Sequence, residues 1–268
     1  MLVKRGTVQK SLIYSCDWDV LVVLDACRYD TFKDNVKMLG VDYELTRVTS
    51  LGSCTMEWFA NTFTKRIPRT VYVSGNPYIG NYSNTFKGKE YCPPRIFSVV
   101  KDAFIEGWRK INGVYTVDPE YIMKLSILMS MFFKGYRLII HFLQPHAPYP
   151  LSPYLRKYFV NERTRPDFKL WEALKRGELN PEKVRKEYEK NLKWALTYVK
   201  RLIKSFKGKR IVITSDHGEC FGEHGLYGHP CGVRVQELID VPWCIICLLY
   251  TSDAADEGLG VDLGGRRI

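Results

Sequence analysis

Residues 213–230 read ITSDHGECFGEHGLYGHP and crowd Asp216, His217, Glu219, Glu223, His224 and His229 into one Gly-rich segment behind a short apolar run. A structural turn needs Gly, Asn or Ser, not this density of ionisable groups. The other two of the five histidines, His141 and His146, lie in HFLQPHAPYP (141–150). Asp25 closes the apolar run DVLVVLD, and Ser50, Ser53, Cys54 and Thr55 follow another run at 43–48. Carboxylates, imidazole and a hydroxyl form a hard-to-borderline site for a divalent cation, with oxygen suiting Mg, Mn or Ca and imidazole pulling toward Mn or Zn. Such an ion makes a bound hydroxyl a usable nucleophile and offsets the charge of an anionic ester. The remaining histidines can donate to the transferring group's oxygens or protonate a leaving alcohol.

The elements that must position these residues alternate along the chain. Residues 19–24 (DVLVVL) are a continuous β-branched run, as in a strand covered on both faces. Further strands are predicted at 69–75, 136–143, 210–214 and 241–246. Between them, helical spacing runs over 26–39 and 95–110, the latter with Val99, Val100, Phe104 and Trp108 on one side. Asp118-Pro119 reads as an N-cap and first turn opening a helix to about Phe133, and a short helix is predicted near 167–176. Pro181 opens a long amphipathic helix with Val184, Tyr188, Leu192, Leu196 and Val199 inward. The fold class is therefore α/β, a mostly parallel central sheet flanked by helices on both faces. In such sheets ligands bind beyond the carboxyl ends of the strands, so the ionisable residues are expected to share one crevice. Taken singly, Asp25 also fits a helix N-cap, His141 a satisfied core histidine and Thr55 an ordinary turn.

The 268 residues suit one domain, expected over 1–246, because the final segment (247–268, ending SDAADEGLGVDLGGRRI) abandons the composition and periodicity of the rest and reads as a non-native or disordered tail. The net charge of +11 favours anionic partners. Aromatics are not interleaved with Arg, so nucleic-acid binding is not expected. The most apolar span, 121–143, is broken by Lys124, Lys134 and Arg137 and reads as a buried helix and strand, with no membrane segment. Cys16, Cys27 and Cys244 sit in apolar runs where a reduced thiol acts as a small hydrophobe, so reduced cysteines and a cytoplasmic setting are expected. The oligomeric state is left open.

Three stretches carry a family resemblance. TSDHGECFGEHGLYGH resembles the C-terminal metal motif of the alkaline phosphatase superfamily in its sulfatase-like branch; LVVLDACRYD resembles that branch's first metal-binding strand and HFLQPHAPY its histidine motif. They occur in the family's order and span about 19–246. The resemblance implies an alkaline phosphatase-like fold, with a divalent ion (Mn, Mg, Ca or Zn) held by Asp25, Thr55, Asp216 and His217; one ion is expected, with two as the alternative. It also implies that His146 and His229 meet the sulfuryl or phosphoryl oxygens; in the phosphoethanolamine and lipoteichoic-acid transferases of the superfamily the equivalent histidines bind substrate or a second zinc. Cys54-Thr55-Met56-Glu57-Trp58 lacks the Pro and Arg of the formylglycine motif C/S-x-P-x-R, whereas Gly52-Ser53-Cys54-Thr55 matches the first half of the G-S-W-T-x-P-S-like stretch of the threonine-using branch. Thr55 is thus the expected nucleophile and Cys54 the alternative. The implied activity is hydrolysis of sulfate or phosphate esters, on a small-molecule, glycan or lipid substrate, through a covalent Thr intermediate. Two alternatives stand beside it: a phosphoethanolamine-type transferase and a non-catalytic anion-binding relative.

Overall fold

The sequence builds its core on strand β1 (Val20–Asp25), whose six residues are all buried. Alternate side chains of an extended segment point to opposite faces. Val20, Val22 and Leu24 therefore enter one apolar cluster and Leu21 and Val23 the other. The first cluster is closed by helices α4 (Pro119–Phe132) and α6 (Pro181–Ser205), through Ile122 and Met123 and through Leu192, Leu196 and Val199. The second is closed by α1 (Gln9–Ser15) and α3 (Thr55–Thr62), through Leu12 and Ile13 and through Trp58 and Phe59. This computed structural model describes residues 6–159 and 168–247. Among them no helix is long and apolar enough to cross a membrane.

The main sheet has seven strands: β1, β2 (Asp42–Thr49), β3 (Ile67–Ser74), β4 (Phe97–Lys101), β5 (Arg137–Pro145), β6 (Ile211–Ser215) and β7 (Asp240–Cys247), in the spatial order β2-β7-β6-β1-β5-β3-β4. β6, β1, β5, β3 and β4 run parallel, while β7 is antiparallel to both β6 and β2. Two reversals restore direction, so β2 also ends on the edge where β1, β3, β5 and β6 end. The α/β reading of the sequence holds, as a mostly parallel mixed sheet. Register brings the ends level: Leu24 pairs with both Ser215 and Phe142, and Ser74 with His141.

Helix boundaries follow the local chemistry. Asp118 caps α4 by accepting from the Glu120 amide at 2.9 Å, and Asn180 caps α6 by accepting from the Lys183 amide at 3.0 Å. α5 (Phe168–Lys175) fills the place of the short helix. The continuous helix expected over 95–110 is not formed; over that span only the end of Pro93–Ile96 and Ala103–Gly107 are helical. Phe97–Lys101 instead pairs in parallel with β3 as an edge strand, and Trp108–Ile111 makes a hairpin with Val114–Val117. Adjacent Val99 and Val100 favour a strand, and pairing with β3 overrides the helical spacing around them. Of the tail read from 247 onward, Cys247 is the last residue of β7 and the rest lies outside the described residues.

Two local arrangements fix where α3 begins. Buried Gln9 donates to Thr214 Oγ1 (2.7 Å) and the Ser215 carbonyl (2.6 Å) and accepts from Trp58 Nε1 (2.7 Å), tying α1, α3 and β6 together. Gly52 packs against the first turn of α3 so closely that a Cβ there would lie 2.1 Å from the Trp58 amide nitrogen. Gly52→Ala must push α3 off its seat. The expected loss is about 2 kcal/mol or more in chemical denaturation; an unchanged midpoint would show that the backbone approach is not required.

Candidate active site

At the shared strand edge, Asp25 (end of β1), Asp216 and His217 (after β6) and Thr55 (first residue of α3) meet. One oxygen or nitrogen from each of Asp25, Asp216 and His217 lies within 4.8 Å of the others. His217 Nε2 is 3.5 Å from Asp25 Oδ1 and 3.4 Å from Asp216 Oδ2. Thr55 Oγ1 donates to Asp216 Oδ2 at 2.7 Å and lies 3.3 Å from His217 Nε2. Asp216 Oδ1 accepts from the amides of Ala26 (3.0 Å) and His217 (2.9 Å). Ala26 takes φ 58°, a left-handed conformation that turns its amide back at Asp216 and costs an L-residue roughly 1–2 kcal/mol. Tyr188 of α6 secures that turn, accepting from the Arg28 amide (2.9 Å) and donating to the Ala26 carbonyl (2.8 Å).

Burial sets the electrostatics. All three metal-type residues are completely buried. Desolvation, reinforced by Asp216, raises the Asp25 carboxyl well above its ordinary range. Desolvation, and then His229, lowers His217 well below the usual imidazole value. His217 Nδ1 donates to the Gly218 carbonyl at 2.8 Å, because a carbonyl only accepts; Nε2 therefore presents its lone pair to the carboxylates. Asp25 Oδ1 is buried with no hydrogen-bond partner among the described residues. An orphaned carboxylate oxygen beside a second carboxylate and an imidazole lone pair is the donor set a divalent cation completes.

A second group lies alongside: His146, Glu219 and His229 also bring ligand-type atoms within 4.8 Å of one another. His229 Nδ1 donates to Glu219 Oε1 at 2.8 Å, and His146 Nδ1 to the Ala147 carbonyl at 2.5 Å. Both rings thus carry their lone pair on Nε2. The His229 ring centroid is 4.8 Å from that of His146 and 4.7 Å from that of His217. Glu219 Oε2 is a second orphaned buried oxygen. The loop carrying His146 is held by Asn191 of α6, whose Nδ2 reaches the carbonyls of Pro145 (3.2 Å), His146 (3.0 Å) and Pro148 (3.3 Å).

The other residues singled out by sequence take structural places. His141 is buried, its Nδ1 2.8 Å from the Tyr72 hydroxyl and its Nε2 3.8 Å from Asp216 Oδ2, and burial lowers its pKa to about 4. His224 is exposed and sits 3.2 Å from Glu237 Oε2. Glu223 pairs with Arg28 at 2.5 Å and orients no imidazole; Arg28 also binds Asp30 at 2.7 Å. Cys54 is bonded to Cys231, so neither is the reduced thiol expected from sequence, and Cys54 offers no thiol nucleophile in this form. The two are 177 residues apart, too far for any spacing signature to announce them, whereas the Cα–Cα separation of 5.1 Å suits a bridge. The other six cysteines are unpaired.

Asn76, directly after the strand predicted at 69–75, is not among the residues singled out by sequence. Its Nδ2 donates to Asp25 Oδ2 (2.6 Å) and Thr55 Oγ1 (3.1 Å), bridging the acid and the hydroxyl. Its one signal is position, since it follows the end of a strand that pairs with β5, which leads into His146.

No family model matches the chain, and no curated protein matches it. Solved structures do. The soluble domain of lipooligosaccharide phosphoethanolamine transferase A from Neisseria meningitidis superposes with a TM-score of 0.59 at 14% identity, over 87% of this chain and 78% of that one. The C-terminal periplasmic domain of EcEptC from Escherichia coli, in complex with Zn, gives 0.51 at 16% identity, over 87% and 74%. Phosphonate monoester hydrolase of Agrobacterium radiobacter gives 0.50 at 14% identity, over 85% and 68%. At these identities the likeness is one of fold. The chain shares the α/β fold of these phosphoethanolamine transferase domains and of the phosphonate monoester hydrolase.

Proposed function

We propose that this chain is a metal-dependent enzyme that cleaves sulfate or phosphate esters through a covalent ester on Thr55. The observation that carries this is the placement of Thr55 Oγ1, 2.7 Å from Asp216 Oδ2 and 3.1 Å from Asn76 Nδ2, at the mouth of a buried Asp/Asp/His group with an orphaned oxygen. Asp25, Thr55, Asp216 and His217 are the residues that would hold a divalent ion. When bound, such an ion lowers the pKa of the Thr55 hydroxyl and offsets the charge of the ester.

The chain's own groups supply the rest. Thr55 Oγ1 passes its proton to the Nε2 lone pair of His146 or His229 as it bonds to sulfur or phosphorus, and the Asn76 amide holds that oxygen in line. The bond to the leaving alcohol breaks, and His146 or His229 returns a proton to the departing oxygen. A water or an acceptor alcohol then attacks the Thr55 ester and Thr55 leaves with a proton restored, giving hydrolysis or transfer from the same intermediate. Glu219 fixes the His229 tautomer so that Nε2 faces the reacting group. The +11 net charge favours anionic substrates. A fold relative that only binds an anion would leave p-nitrophenyl sulfate, phosphate and bis(p-nitrophenyl) phosphate uncleaved under zinc, manganese, magnesium or calcium. Turnover that rises when an acceptor alcohol is added would mark a transferase.

Three outcomes test the site. Metal analysis should find about one tightly held zinc or manganese per chain, lost in Asp216→Ala, and saturation should stabilise the wild type by about 2.7 kcal/mol at a hundredfold excess over Kd; equal metal in the variant would refute the ligand set. Thr55→Ala should reduce turnover at least about 10³-fold, with the ion kept by the remaining Asp25, Asp216 and His217, and retained turnover would remove Thr55 from the chemistry. The third is a stability test. A carboxyl whose folded pKa is raised destabilises the fold as pH climbs from its unfolded value through its folded one. Metal-free protein should therefore lose stability with rising pH, and Asp25→Asn should abolish that loss, raising Tm in chelator by about 2–4 °C per kcal/mol of relieved repulsion. A Tm lower than that of the wild type would contradict the charge conflict at Asp25.

A further inference from the structure

The Cys54–Cys231 bridge joins two segments that each carry a reacting group. Cys54 is the N-cap of α3, directly before Thr55, and Cys231 follows His229 by two residues. The polar ties around it span the same seam. Ser53 Oγ donates to the Pro230 carbonyl (2.8 Å) and accepts from the Val233 amide (3.2 Å). Glu57 Oε2 accepts from the Ser53 amide (2.9 Å) and the Gly232 amide (3.1 Å). Burial opposes ionisation of Glu57, but these hydrogen bonds outweigh it and hold its carboxyl below the usual range, so it stays an acceptor at neutral pH. The histidine loop is thus stitched to the nucleophile's turn. On its other side the Glu219–His229 bond and the pairing of Tyr227–Gly228 with Cys220–Phe221 hold it.

Resting on the reading of Thr55 and His229 given above, we propose that the Cys54–Cys231 disulfide is a positioning element of the active centre that holds His229 in register with Thr55, so that the oxidised chain is the competent form. Cys54 is buried but Cys231 is exposed, which leaves one sulfur open to attack. A small dithiol supplies the two electrons. Its thiolate bonds to Cys231 Sγ, the Sγ–Sγ bond breaks, and Cys54 leaves as thiolate and takes a proton. The second thiol of the reagent then closes its own ring disulfide, leaving Cys231 as the second thiol. The hydrogen bonds from Ser53 and Glu57 remain but no longer fix the loop covalently, and a displacement of about 1 Å at a reacting group costs about a hundredfold in rate. A staple that served the fold alone would lower Tm and leave the assembled centre as fast as before.

The experiment compares full-length wild type, oxidised and dithiothreitol-treated, with the Cys54→Ser/Cys231→Ser double variant, well below Tm. It reads kcat and KM on the p-nitrophenyl ester that the oxidised protein turns over, zinc per chain, and hydrogen exchange by residue. The expected result is a fall in kcat of about tenfold to a hundredfold with KM shifted less than about threefold. Zinc content should be unchanged, and amides of 229–233 should exchange about tenfold faster while β1 and β6 keep their protection. Reoxidation should restore the wild type, and the double variant should ignore dithiothreitol. A reduced or double-variant kcat within about twofold of the oxidised wild type overturns the proposal, as does unchanged exchange at 229–233 or a fall explained by loss of zinc. If the oxidised protein turns over no ester, the functional reading fails on its own, and the exchange rates still decide whether the bridge fixes the loop.

Discussion

Two carboxylates that repel each other sit at the centre of this molecule. Asp25 and Asp216 are wholly buried, at the ends of adjacent strands, where a neutral imidazole, three amide-type donors and the Thr55 hydroxyl soften the conflict. Like charges in a medium of low polarity are held together only if the surrounding structure over-determines them. That over-determination is visible in the turn at Ala26, in Tyr188 bracing it, and in backbone amides aimed at one Asp216 oxygen. The fold is spending stability to keep two acids within one cation's reach.

Much of this was readable from the sequence, and the reason is physical. A strand buried on both faces leaves an unbroken β-branched run, so β1, β5 and β6 declare themselves, and the chemistry at their ends is then easy to place. Asp25, Asp216 and His217 are brought together by strand register alone, with no need for a long side chain to reach. What could not be read depended on distance. Asn76 acts through a side chain whose partners lie 21 and 51 residues away. The Cys54–Cys231 pair spans 177 residues, and the local apolar setting of the other cysteines suggested reduced thiols throughout. The segment 97–101 failed for a different reason: its spacing fits a helix, and only the vacant edge of β3 makes it a strand.

The two histidine-bearing loops divide the labour of holding the second group. His146 is fastened from below by Asn191 of α6, a long helix that belongs to the core. His229 is fastened from the side, by Glu219 and by the seam to α3. His146, His217 and His229 each donate through Nδ1 to a fixed acceptor, which sets their tautomers before any ligand arrives. Pre-set tautomers reduce the reorganisation a binding event requires.

The place of β2 at the margin of the sheet has an evolutionary consequence. The acids and His217 are carried by interior strands, where a changed residue disturbs packing on two faces. The hydroxyl is reached through a boundary strand, whose outer edge lies at the margin of the sheet, and a turn fixed by the approach of Gly52 to α3. Such a molecule can alter the hydroxyl-bearing residue, or the shape of the entrance beside it, while the two buried acids stay where they are. Inheritance of the electrostatic centre and innovation beside it are kept apart by the order of the strands.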